Sequence, residues 1–129
     1  MAKNMREKTK KIEENKDTRP YATAKHIRIS PYKVRTVLAL IRGKSVTEAV
    51  AILENITKSS ALPVKKVVMS AAANAEHNKQ MDRNDLYVAE AYADQGTSLK
   101  RMNPVSKGRA HAIFKRTSHI TVVLDVKNK

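Results

Sequence analysis

Asp94-Gln-Gly-Thr-Ser-Leu-Lys-Arg-Met-Asn-Pro-Val-Ser-Lys-Gly-Arg-Ala-His-Ala-Ile-Phe-Lys-Arg-Thr-Ser118 is the stretch whose reading decides the fold. A run with strand character lies on either side of it. Leu86 to Ala93 comes before, and His119 to Val126 comes after, the latter rich in β-branched residues. The segment between them is too long for an ordinary hairpin loop, and connections of that length are usually functional or unstructured. The simplest folded solution is a pair of strands that continue past the domain as an arm, turning near Asn103 to Ser106. About ten residues a side, at roughly 3.3 Å each, reach on the order of 30 Å. A two-stranded ribbon is marginal alone in water, so such an arm becomes rigid only against a partner.

The charge of the stretch says what kind of partner. No acidic residue stands between Asp94 and Asp125, whereas Lys100, Arg101, Lys107, Arg109, Lys115 and Arg116 all fall there. A surface tuned only for solubility mixes the two signs. The whole chain of 129 residues carries 26 Lys and Arg against 12 Asp and Glu, a formal charge of +14, with a pI near 10.2. Such an excess suits a polyanion.

Outward from the arm, the chain reads as one domain with a tail. Residues 1 to 20 are basic and almost free of large apolar side chains, so they read as a mobile tail, with a marginal solvated helix possible over Met5 to Lys16. His26 to Ile29 reads as a short strand with Ile27 and Ile29 on one face. Ser30-Pro31 opens a helix whose stripe is Val34, Val37, Leu38 and Ile41, ended by Gly43. Ser45 and Glu48 have the spacing of a capping box, followed by Ala49, Ile52, Leu53 and Ile56 on an inner face. A third helix spans about Ser60 to Asn78, with Pro63 in its first turn and Val64, Val67, Val68, Ala71, Ala72 and Ala75 toward the core. The domain is therefore 21–129, with the extended hairpin at about 88–124.

Composition closes several routes. There is no Cys, which excludes disulfide scaffolds, thiolate zinc sites and Cys nucleophiles. No apolar run approaches the roughly 20 residues that span a bilayer. Phosphate loops, dinucleotide fingerprints and hydrolase elbows are absent, and His26, His77, His111 and His119 have no metal-like spacing. No cofactor, metal or catalytic residue is expected. One Phe and no Trp argue against a broad base-stacking platform. Phe114 has the capacity to stack on a base, but a lone Phe beside a strand is more often core or ribbon packing. A helix-turn-helix is also disfavoured, since its second helix, Ser45 to Ile56, carries Glu48 and Glu54 and no Lys or Arg.

The order and spacing of several short stretches narrow this further. They are Arg28-Ile-Ser-Pro-Tyr-Lys-Val-Arg35, Leu40-Ile-Arg-Gly-Lys44, Ala73-Asn-Ala-Glu-His-Asn78, Leu99-Lys-Arg101, Gly108-Arg-Ala110 and Lys115-Arg-Thr-Ser-His-Ile120. Together they resemble the bacterial form of the large ribosomal subunit protein twenty-two family, from about Ala22 to Val126. The resemblance implies an α+β fold: three helices packed on a small antiparallel three-stranded sheet, with a long protruding β-hairpin. It implies a structural, non-catalytic constituent of the large subunit in the cytoplasm, bound to 23S rRNA and neighbouring large-subunit proteins. It implies no membrane and no homo-oligomer.

By the same resemblance, Arg28, Lys33, Arg35, Arg42 and Lys44 form the globular RNA face. Lys100, Arg101, Lys107 and Arg109 are hairpin contacts, and Lys115, Arg116, Thr117, Ser118 and His119 hold the hairpin base. The tip, Arg101, Met102, Asn103, Pro104, Val105, Ser106 and Lys107, would line the peptide exit tunnel, facing the nascent peptide and tunnel-binding antibiotics such as macrolides. Family members often carry more Arg around the tip Pro, and many lack a tail like residues 1–20. A free-standing DNA-binding or nucleoid-associated protein is the alternative reading. A peripheral membrane protein lacks the broad apolar face it would need.

Overall fold

The structure, a computed structural model, describes residues 2–127. The chain is α+β. Its helices are α1 (Ala2–Glu14), α2 (Pro31–Ile41), α3 (Val46–Asn55) and α4 (Ala61–Lys79). The strands are β1 (Tyr21–Ile27), β2 (Leu86–Gln95), β3 (Leu99–Pro104), β4 (Ala110–Lys115) and β5 (Ser118–Val126), with a short 3-10 turn at Arg83–Asp85. A three-stranded antiparallel sheet has the order β1-β5-β2, and β3 pairs with β4 as a separate ribbon.

The helical periodicity lands where the sequence puts it. Val34, Val37, Leu38 and Ile41 are all fully buried, and Gly43 takes the positive φ of 75° that ends the α2 turn. Ser30 occupies the N-cap position, yet its side chain makes no cap hydrogen bond. Ser45 does cap α3, accepting from the Glu48 N–H at 3.3 Å. The Glu48 carboxylate turns instead to Lys44 Nζ at 3.0 Å, so only half of the capping box forms. On α3, Val46, Ala49 and Leu53 are buried, whereas Ile52 and Ile56 are partly covered. α4 buries Val64, Val67, Val68, Ala71, Ala72 and Ala75. Its Ala residues let it lie close along β1 and β5, while α2 packs on β2 and α3 joins the two.

One strand reading needs correction. The first strand is Tyr21–Ile27, not His26 to Ile29. Its inward residues before the irregularity are Ala22 and Ala24, small side chains that give little strand signal. A bulge between Ala24 and Ile27 then resets the phase, with His26 at φ 57°. The His26 N–H donates to His119 Nδ1 at 3.1 Å, and the two rings meet edge to face at 4.9 Å. In β2, a bulge between Val88 and Glu90 likewise keeps Leu86, Val88, Ala91 and Ala93 all buried.

The helix count also changes. Four α-helices form rather than three, because α1 occupies the segment read as a tail. Residues 3–14 of α1 are all exposed, so three helices make the core layer and α1 stands outside it. The tail is tied down at its end. Pro20 O accepts from the Leu124 N–H, and Arg19 bridges Asp17 and Glu90, each at 2.7 Å.

The ribbon does not continue straight from the sheet. Gln95 faces Ser118 and Leu99 faces Lys115, so three residues, 96–98, oppose two, 116–117. This surplus makes an elbow. The Gly96 N–H donates to Thr117 O at 2.9 Å, and the Thr117 hydroxyl donates to Thr97 O at 2.6 Å. A Cβ on Gly96 would stand 2.5 Å from Thr117 Oγ1 and 3.3 Å from the His119 ring. Glycine is required there by space. Beyond the elbow, six pairs from Leu99↔Lys115 to Pro104↔Ala110 extend the ladder about 20 Å.

The turn lies later than the sequence suggests. Lys107 and Gly108 form it, both at positive φ, 58° and 69°, the pair of conformations favoured in tight hairpins. The Val105 N–H donates to Arg109 O at 2.8 Å. Asn103 and Pro104, whose types suggest a turn, belong to β3. Pro104 is tolerated because a two-stranded ribbon has a free edge where no N–H is needed.

Gly96→Ala should destabilise the fold by about 1–3 kcal/mol through overpacking at Thr117, read as a lower urea midpoint. An unchanged midpoint would mean that Thr117 yields without cost. Asp17 supplies a second check. Hydrogen bonds from the Arg19 side chain, then its backbone, hold the carboxyl below the ordinary 3.8, at about 2. The pairing therefore stabilises above pH ~4 and is lost as pH falls toward ~2. An NMR titration of Asp17 should show that low midpoint, and Arg19→Ala should return it toward the ordinary value.

Candidate nucleic-acid interface

The basic residues of the hairpin are presented without competition. All residues from Lys100 to Arg116 are exposed, and none of the ion pairs among the described residues involves them. Lys100 and Arg101 lie on β3, Lys107 in the turn, Arg109 just after it, and Lys115 at the end of β4. Pairing puts Lys100 opposite Phe114 and Arg101 opposite Ile113. Adjacent residues of a strand face opposite sides, so both faces of the ribbon carry cations.

Of the residues expected at the tip, only Val105, Ser106 and Lys107 reach the apex. Arg101, Met102, Asn103 and Pro104 are ladder residues opposite Ile113, Ala112, His111 and Ala110. The apex is completed by Gly108 and Arg109.

At the hairpin root the expected residues divide by burial. Thr117 and Ser118 are 5% and 0% exposed, and Ser118 Oγ has no hydrogen-bond partner. Thr117 closes the elbow, and His119 accepts the His26 N–H; they shape the root from within. Lys115 and Arg116 remain at the surface. The Arg116 guanidinium donates to Ser98 Oγ at 3.0 Å and stacks over Phe114 at 4.9 Å from the ring centroid.

The globular face divides in the same way. Arg28 and Lys33 converge with Lys115 and Arg116 on an open groove of about 600 Å³ between the start of α2 and the hairpin root. Arg35 and Arg42 point elsewhere. Arg35 donates from Nε and Nη2 to Ala93 O at 3.0 and 2.9 Å, and Arg42 Nε donates to Ala91 O at 2.8 Å. Lys44 is paired with Glu48. The five expected residues are thus not one patch: two join the hairpin root, and three line the α2–β2 side. The sequence leaves Phe114 open between stacking on a base and packing in the core or the ribbon; it lies on β4 of the ribbon, 49% exposed among cations.

Among the described residues, no three His, Asp or Glu side chains group as a metal site. No helix among the described residues is long and apolar enough to cross a membrane.

Comparison with known proteins gives the family. The sequence profile of ribosomal protein L22p/L17e matches residues 22–125. The large ribosomal subunit protein uL22 of Clostridium novyi (strain NT) is 57% identical over 103 residues, covering 80% of this chain and 93% of that protein. The protein of the same name from Staphylococcus aureus (strain JH9) is also 57% identical over 103 residues, covering 80% of this chain and 88% of its own. The chain therefore belongs to the ribosomal protein L22p/L17e family, a family of structural, non-catalytic ribosomal components.

Proposed function

We propose that the protein binds 23S rRNA in the large ribosomal subunit through the β3–β4 ribbon, the hairpin root and the Arg28–Lys33 end of α2. The ribbon would reach inward to line the peptide exit tunnel, with the nascent peptide and neighbouring subunit proteins as further partners. One observation carries this reading: an exposed two-stranded ribbon with cations on both faces and no acid from 95 to 124. It has no apolar layer of its own to hold it, and RNA supplies a second surface. Structured RNA is contacted largely through phosphates, shape and 2′-hydroxyls, which calls for Lys and Arg at the surface. Thr117, Ser118 and His119 contribute by setting the elbow that aims the ribbon. Residues 1–20 are proposed as a basic extension outside the domain, with α1 fraying when unbound, since a 13-residue helix is marginal alone.

Binding to rRNA should weaken steeply with salt, each neutralised phosphate contributing a log–log slope of roughly −0.7 to −0.9. Replacing Lys100, Arg101, Lys107 and Arg109 by Ala should flatten that slope by about three. An unchanged slope would remove the ribbon as the polyanion site. Cosedimentation with ribosomes rather than nucleoid DNA separates the proposal from its DNA-binding alternative.

The tunnel role has its own check. Deleting Met102 to Pro104 removes three ladder pairs near the apex but leaves the root and globular face in place. A strain carrying only this form should assemble large subunits, with altered macrolide susceptibility and nascent-chain pausing. Normal drug response together with normal pausing would exclude a tunnel-lining tip.

A further inference from the structure

We infer that the groove at the hairpin root is a site for one unpaired RNA nucleotide, its phosphate against Arg28 and Lys33 and its base stacked on Phe114. This rests on the RNA-binding reading above and adds a specific pocket to it. Arg28, Lys33, Lys115 and Arg116 line the groove with no carboxylate among the lining residues. Four like charges drawn together from two parts of the chain repel one another until an anion enters. Ser30 adds a hydroxyl that makes no cap hydrogen bond, and the amino end of α2, which opens onto the groove, favours negative charge.

The ring identifies the rest of the ligand. Phe114 is the single Phe of a chain without Trp, and it is half-exposed beside the groove instead of packed in the core. Arg116 lies over it at 4.9 Å and is itself fixed by Ser98 Oγ at 3.0 Å. An aromatic ring and a guanidinium plane beside phosphate-binding cations are the parts that hold a splayed-out base. A volume of about 600 Å³ is within the range of small-ligand sites. It admits a nucleotide. The elbow matters here, because it brings the end of β4 back toward Ser30 and Lys33.

The test uses the full chain and two probes of equal length, a hexauridylate and a base-free ribose-phosphate hexamer, with binding followed by anisotropy of an end label. Phe114→Trp introduces a lone Trp as reporter. Its emission should fall by more than half at saturation with hexauridylate and stay unchanged with the base-free probe. Phe114→Ala should weaken hexauridylate binding about 5- to 100-fold without changing base-free binding, and Phe114→Tyr should retain affinity. If both probes bind but Trp emission does not distinguish them, the nucleotide site is overturned and the RNA-binding reading stands. If neither probe binds at low salt, both readings fall.

Discussion

Every layer of the protein is organised by the pairing of β5 with a neighbour on each edge. Ile120, Val122 and Leu124 are fully buried, so the strand bonds β1 and β2 laterally while its apolar residues meet the helices. It meets both other strands of the sheet and two of the helices, α2 and α4. Its first residues, Ser118 and His119, are also the last part of the hairpin root. The direction of the ribbon is thereby tied to the most deeply buried strand, and the elbow at Gly96 and Thr117 converts that fixed direction into a bend.

This arrangement separates two jobs by burial. Thr117 and Ser118, buried, and the half-buried His119 shape the root, whereas Lys100, Arg101, Lys107, Arg109, Lys115 and Arg116 lie at the surface. In a linear view both groups look like one basic, polar stretch. A ribosomal protein of this size has no apolar interior to give to a projecting arm. Its stiffness has to come from the root on one side and, on the proposed function, from RNA on the other.

The legibility of the sequence follows from side-chain size. Helices with Val, Leu and Ile at i, i+3 and i+4 were readable to within a residue or two, as at Val34, Val37, Leu38 and Ile41. The strand built on Ala22 and Ala24 was not, because Ala has little preference for a sheet and a bulge resets the alternation. The turn at Lys107-Gly108 was hidden by Asn103-Pro104, a stronger turn signal that the ladder absorbs at a free edge. For the interface, the excess of charge points to the hairpin, and the structure leaves those cations exposed. It gave no means of telling Arg28 from Arg42, because the difference is tertiary: one guanidinium faces a groove, and the other meets a strand carbonyl.

Those strand carbonyls have a consequence for the time before assembly. β2 is an edge strand, and an open edge is a template on which another chain adds. Here the Val88 N–H and C=O are bonded by the backbone at Lys44 and Gly43, Ala91 O by Arg42 and Ala93 O by Arg35. On the opposite edge, Asn74 Nδ2 donates to Tyr21 O, and the bulge before Ile27 twists the strand away. A newly made copy stands in a crowded solution before it joins the ribosome. Guanidinium groups that occupy acceptors on one edge, and a bulge that interrupts the other, leave a second copy few open groups to pair with.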